Sequence, residues 1–281
     1  MALEERLAQI ALRESVDLQR LRRQISFDRL LARLACAPGH PWVLKGGYAL
    51  ELRYRKARST KDLDFTMRFV PADQPEADAV LEAVREAVAA DLSDFFSFLV
   101  AKATSDLEGA PYGGARYPVE AVLGGRTFAR FHVDIGVGGL VMEPVEAIHC
   151  RDWLGFAHIA PATALVILPE QQFAEKLHAY TFPRLQLPNS RVRDLVDMLL
   201  LVESRSLSAE RTREAVARTF ARRGTHAIPP ALQPASEDWA KPFSALTVEC
   251  GLETDLNLAF KTVDDFYRTL IQKDKFRDEP R

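Results

Sequence analysis

In the segment "DLDFTMRFV" apolar and polar residues alternate as they do in a β-strand, and Asp62 and Asp64 fall one residue apart. Alternate side chains of a strand share a face and lie about 6.6 Å apart, so at an effective dielectric near 20 the two carboxylates repel by about 2.5 kcal/mol. A chain that keeps both must place something positive between them. Upstream, "WVLKG" is a short apolar run that stops at Gly46, and "YALELRY" has helical character. The local order is therefore strand, Gly46-Gly47 turn, helix, loop, strand. A glycine pair between strand and helix lets the backbone approach a ligand closely, and amides at a helix start suit a phosphate. Mg²⁺ prefers oxygen ligands and shares itself between carboxylates and nucleotide phosphates, so Asp62 and Asp64 read as its ligands.

A third acid supports the same chemistry. Asp134 is the isolated charge in "FHVDIGV", a strand whose Val133 and Ile135 should point into a core and leave Asp134 on the opposite face. Such a carboxylate binds metal or takes the proton from an attacking hydroxyl. The formal charge of −2 provides no bulk attraction to nucleic acid or to an anionic membrane, so any polyanion must be held by a local patch.

The 281 residues, 47% of them hydrophobic, suffice for a large core. The opening "MALEERLAQIALRES" is charged and amphipathic, and no run of 18 apolar residues occurs, which points to a cytoplasmic protein without membrane spans. Cys36, Cys150 and Cys250 are odd in number and far apart, as expected of free thiols in a reducing compartment. Helical spacing over residues 3–36, with breaks expected near Ser15 and Ser26, predicts two helices. A helix at about 76–90 and three β-rich pieces follow: "FFSFLVAKA", "ARYPVEAVL" and "TFARFHVDIGV", the last two joined by a Gly-Gly turn. From Pro169 onward the pattern is helical almost throughout. The expectation is an α+β fold with a mixed sheet in residues 1–165 and a mainly helical half, residues 166–281, that completes the active site.

The order Gly46-Gly47, Asp62-x-Asp64, Asp134 resembles the nucleotidyltransferase core shared with polymerase β. "QFAEKLHAYT" followed by "NSRVRDLVDMLLL" adds a resemblance, over about residues 44–201, to the AbiEii/MenT nucleotidyltransferase toxins. The resemblance implies that Asp62, Lys176 and Asp194 are required for activity, that Asp64 and Asp134 join Asp62 in binding metal, and that an NTP donates nucleotides to RNA, in the MenT branch to the tRNA 3′ acceptor end, which blocks translation. It also implies a cognate antitoxin, DNA-binding or kinase-like, and in some relatives phosphorylation at the position of Thr60. Chemistry adds Lys45, Gly46, Gly47, Gln172 and Lys176 as nucleotide-binding candidates. Arg53, Arg55, Arg58, Arg191 and Arg193 are candidate contacts for RNA or phosphate, Arg193 alternatively pairing with Asp197 one turn on. Transfer to a protein or small molecule, or nucleotide binding without chemistry, is the competing reading, since acceptor identity lies in surface shape.

Overall fold

The computed structural model describes residues 3–37, 39, 41–54, 56–68, 77–107, 113–183 and 190–272. Its contacts group into two units: Met1–Arg53, Ser59–Gly139 and Val145–Val166 form the first, and Tyr54–Arg58, Leu140–Pro144 and Ile167–Arg281 the second.

The first unit opens with α1 (Leu3–Glu14) and α2 (Leu18–Leu34), separated where Asp17 caps α2 by accepting from the backbone N–H of Arg20. Ser26 does not break α2 as its sequence suggested, because its hydroxyl donates to the carbonyl of Arg22 one turn back and stays inside the helix. The elements β1 (Trp42–Lys45), α3 (Gly46–Arg53), β2 (Asp62–Met67) and α4 (Ala77–Val88) come next. They are followed by β3 (Phe96–Val100), β4 (Ser105–Asp106), β5 (Gly114–Leu123), β6 (Arg126–Val137), β7 (Glu146–His149) and β8 (Thr163–Val166). The sheet is mixed, in the order β3-β5-β6-β2-β1-β8-β7 with β4 beside β5. Gly124 and Gly125, both at positive φ, close the β5–β6 hairpin as their pairing predicts. β4, β7 and β8 were not anticipated, being at most four residues long and too short to carry a period.

One face of the sheet is closed by α2. Phe27 stands edge-on to Tyr48 of α3 and to Phe131 of β6, each with ring centroids 4.9 Å apart, and so ties two helices to the sheet. Beside this contact Asp28 accepts a short hydrogen bond from the Tyr48 hydroxyl. Burial pushes the Asp28 carboxyl up to about 7, against the hydrogen bonds of Tyr48 and Cys150 and the charge of Arg29.

The second unit is helical: α5 (Pro169–Thr181), α6 (Val192–Glu203), α7 (Ala209–Arg223), α8 (Ala240–Cys250) and α9 (Leu256–Gln272). Pro169 stands at the start of α5, where its missing N–H costs nothing, and Gly224 ends α7 in the left-handed conformation. Among the described residues no helix is long and apolar enough to cross a membrane.

Asp28 generates a pH dependence whose sign is fixed. The folded protein holds a proton that an unfolded aspartate, titrating near 3.9, has already lost, so its contribution to stability falls as pH rises between about 4 and 7. Urea midpoints of Asp28→Asn and the native chain should converge at the acid end of that window and separate toward pH 8 in favour of the variant. Parallel curves would contradict the assignment.

Candidate active site

Because β2 and β6 run parallel, Asp64 lies opposite Asp134 and Asp62 opposite His132. Leu63, Phe65, Val133 and Ile135 fill the core from the other face. Alternation set Asp62 with Asp64 and Asp134 away from its apolar neighbours, and the parallel pairing of β2 and β6 brings the three carboxylates to one side. The positive group that their repulsion demands is Arg116 of β5, whose register places it opposite Asp134. Its Nε donates to Asp134 Oδ1 at 2.8 Å and an Nη to Oδ2 at 2.7 Å, a planar fork on a carboxylate, while the same Nη stands 3.6 Å from Asp62 Oδ2. The hydrogen bond to Asp134, opposed by desolvation and joined by the charges of Asp134, Asp62 and Asp64, raises the guanidinium pKa further still. His132 Nδ1 lies 3.4 Å from Asp62 Oδ1.

The glycine pair meets these acids at the end of β1, where Lys45 is opposite Asp64. Gly46 has φ +66°, and a Cβ there would lie 2.0 Å from Asp64 Oδ2, so only glycine lets the backbone pass this close to the carboxylate. Among the described residues no three His, Cys, Asp or Glu side chains are gathered into a ready-made metal cage. The donor set nevertheless suits Mg²⁺, which is commonly held by one or two carboxylates together with substrate phosphates. Asp62 is about one-third exposed, whereas both oxygens of Asp134 are taken up by Arg116.

Lys176 and Asp194 come together in the second unit. Lys176 Nζ lies 2.9 Å from Asp194 Oδ1 and 2.8 Å from Asp197 Oδ2. Arg58 forks onto the same Asp197 at 2.8 and 2.7 Å, and Arg191 stands 3.5 Å from Asp194. Burial works to deprotonate Lys176, but Asp194 and Asp197 outweigh it and raise its pKa, so the lysine stays charged. Burial also opposes ionisation of Asp197, yet Lys176 and Arg58 hold its carboxyl below the usual range.

Several sequence expectations meet a different structure. Arg58 is buried against Asp197, and Arg53, its side chain only 7% exposed, is paired with Glu146, so neither is open to a polyanion as the basic run suggested. Arg193 is exposed and leaves Asp197 to Lys176 and Arg58. Gln172 is fully buried. Arg191 remains on the surface, and Arg55 lies outside the described residues. Thr60 is half-buried, its amide donating to Glu51 and its hydroxyl 3.4 Å from the Asp62 carbonyl. His178 packs against Phe220 and His226, and burial lowers its pKa to about 4, as fits a neutral packed histidine.

Sequence reasoning missed Arg116 and His132, and offered Asp197 only to Arg193 when its partners are Lys176 and Arg58. A regular hairpin counted back from Gly124-Gly125 would set Arg116 beside Val133. An irregularity at Ala121/Val122 shifts the register by one and brings it opposite Asp134. Asp197 carries a stability prediction: removing it in Asp197→Ala takes the forked carboxylate from buried Arg58 and leaves Lys176 with Asp194 alone, at a cost of about 3–5 kcal/mol. Chemical denaturation should show that loss, and a loss below about 1 kcal/mol would mean the pair behaves as solvated surface charge.

The sequence model of the family described as "Nucleotidyl transferase AbiEii toxin, Type IV TA system" matches residues 29–269. Among solved structures, the chain is similar to MenT4, a nucleotidyltransferase toxin of Mycobacterium tuberculosis H37Rv, at 20% identity and a TM-score of 0.62, covering 98% of this chain and 95% of that one. At this identity the likeness shows a shared fold. A Helicobacter pylori protein titled as a candidate nucleotidyltransferase aligns at 14% identity and a TM-score of 0.49, covering 94% of this chain and all of that one. JHP933 of Helicobacter pylori aligns at 15% identity and a TM-score of 0.45, over 92% and 95% of the two chains. No curated protein sequence matches the chain.

Proposed function

The chain belongs to the AbiEii nucleotidyltransferase toxin family, and on that premise we propose that it is the toxin of a toxin-antitoxin system that transfers nucleotides from an NTP to RNA, at the tRNA 3′ acceptor end, and so blocks translation. The observation that carries this reading is the convergence of Asp62, Asp64 and Asp134 on one sheet face, with the Gly46 backbone against Asp64. An acceptor hydroxyl attacks the α-phosphorus, the new oxygen–phosphorus bond forms as the bond to the β-phosphate breaks, and pyrophosphate leaves. Asp62 and Asp64 would hold Mg²⁺, with Asp134 joining them when Arg116 gives up its fork. Bound there, Mg²⁺ would neutralise phosphate charge in the transition state.

The chain's own groups do the rest. Gly46-Gly47 offers backbone amides and room for the triphosphate, with Lys45 beside it. A carboxylate of the triad accepts the hydroxyl proton. Lys176 and Asp194 enter as required residues through the family resemblance, and the chemistry of Lys176, a lysine kept charged by two carboxylates, suits triphosphate neutralisation. A cognate antitoxin follows from the family. Phosphorylation of Thr60 would set a dianion beside Asp62 and oppose nucleotide binding. A cytoplasmic location fits both the substrate and the free thiols.

Purified protein incubated with total tRNA, Mg²⁺ and each α-labelled NTP in turn should label tRNA. Asp62→Ala, Lys176→Ala and Asp194→Ala should each lower the rate at least about 100-fold while remaining folded. Equal labelling by folded Asp62→Ala would end the mechanism, and label found only on protein or small acceptors would move the acceptor to another class.

A further inference from the structure

The two flanks of the Asp62–Asp64 pair are unlike. On the β1 side stand Lys45 and the glycine pair, closed against Asp64. On the β6 side the sheet is notched: β2 begins at Asp62, opposite His132, while β6 extends back to Arg126, so among the described residues no strand pairs with Arg126–Phe131 on that side. A cleft of about 850 Å³ opens there and reaches Asp62 itself. That volume is within the range of about 300–1,000 Å³ that ligand sites commonly occupy.

The lining has a definite chemistry. Arg23 and Lys61 reach it from α2 and from the turn before β2, and Arg130 from β6. Arg23 carries a buried Nε without an acceptor, and Lys61 is exposed and makes no ion pair among the described residues. Among the described residues Arg130 is paired with Glu120 alone, at 3.2 Å and largely in solvent, an arrangement that holds it loosely. Between these cations the floor is apolar, with Leu99 exposed to 62% of its surface and Pro118 beside it, and the half-exposed His132 ring lies next to Asp62. Cations bordering an apolar and imidazole surface suit a short single strand, whose phosphates meet the charges while its bases lie on the floor.

We infer that this notch holds the 3′-terminal nucleotides of the single-stranded RNA acceptor, delivering the terminal hydroxyl to Asp62 from the β6 side while the triphosphate lies on the β1 side. The inference rests on the reading of the site as an RNA nucleotidyltransferase. It gives acceptor recognition to Arg23, Lys61 and Arg130, and takes it away from Arg53 and Arg58, whose charges are already engaged. Donor and acceptor would then lie on opposite sides of the carboxylates.

The test is equilibrium binding of a short fluorescent single-stranded oligoribonucleotide to the full chain, without NTP, beside separate measurement of NTP binding. Arg23→Gln combined with Arg130→Glu should weaken oligonucleotide binding at least ten-fold at fixed salt and leave NTP binding unchanged. The slope of log K against log salt should fall by about 1.4, for two lost phosphate contacts on a single strand. Arg130→Glu alone, at a solvent-exposed side chain, should show part of the same loss and guards against a folding artefact. Unchanged oligonucleotide binding, absence of binding by the native chain, or weakening of NTP binding instead would overturn the assignment. Oligonucleotide binding that behaves as stated in a protein that labels no RNA would strike the proposed reaction and leave the notch as an RNA site.

Discussion

Arg116 is the group on which the acidic face depends. Asp62, Asp64 and Asp134 are set on one side of β2 and β6 by the parallel register, and their neighbours Leu63, Phe65, Val133 and Ile135 are committed to the core. The carboxylates cannot turn away without turning the core outward, so their repulsion must be met where they stand. The fork from Arg116 to Asp134 and its approach to Asp62 meet it. Gly46 is a consequence of the same crowding, since any side chain there would strike Asp64. An arginine makes this arrangement stable before any substrate arrives, and Mg²⁺ with a nucleotide's phosphates would be a second solution to the same electrostatic problem.

The helical unit repeats the principle with opposite weighting. Lys176 and Arg58 bring two buried cations to Asp197, and Asp194 shares Lys176. Each charge is affordable only because its partners are present, so the network ties α5, α6 and Arg58 together within that unit. Under the proposed function, a lysine held charged in this way would meet the triphosphate with its ammonium already placed.

Much of the acidic face was legible in the sequence for a physical reason: side chains of a strand alternate, so Asp62-x-Asp64 and the lone Asp134 declare their face without knowledge of the fold. The Gly46-Gly47 turn, the β5–β6 hairpin and most of the helices follow from equally local signals. What the sequence withheld depends on register and on long-range pairing. The shift at Ala121/Val122 moved Arg116 from beside Val133 to beside Asp134. Arg53 and Arg58 sit in a run that looks solvated, yet their partners Glu146 and Asp197 lie far along the chain. Ser26 suggested a helix break and instead bonds back within α2. Strands of four residues, such as β7 and β8, are placed by their neighbours and carry no period of their own.

We propose that a cation stands among Asp62, Asp64 and Asp134, Arg116 in the free protein and Mg²⁺ in the working one. The most direct measurement is the melting temperature of Arg116→Ala, with the native chain alongside, in chelator and across a Mg²⁺ titration. The account predicts that the variant melts several degrees lower in chelator and that Mg²⁺ restores most of the difference, with little effect on the native chain. A deficit that is the same with and without Mg²⁺ would contradict it.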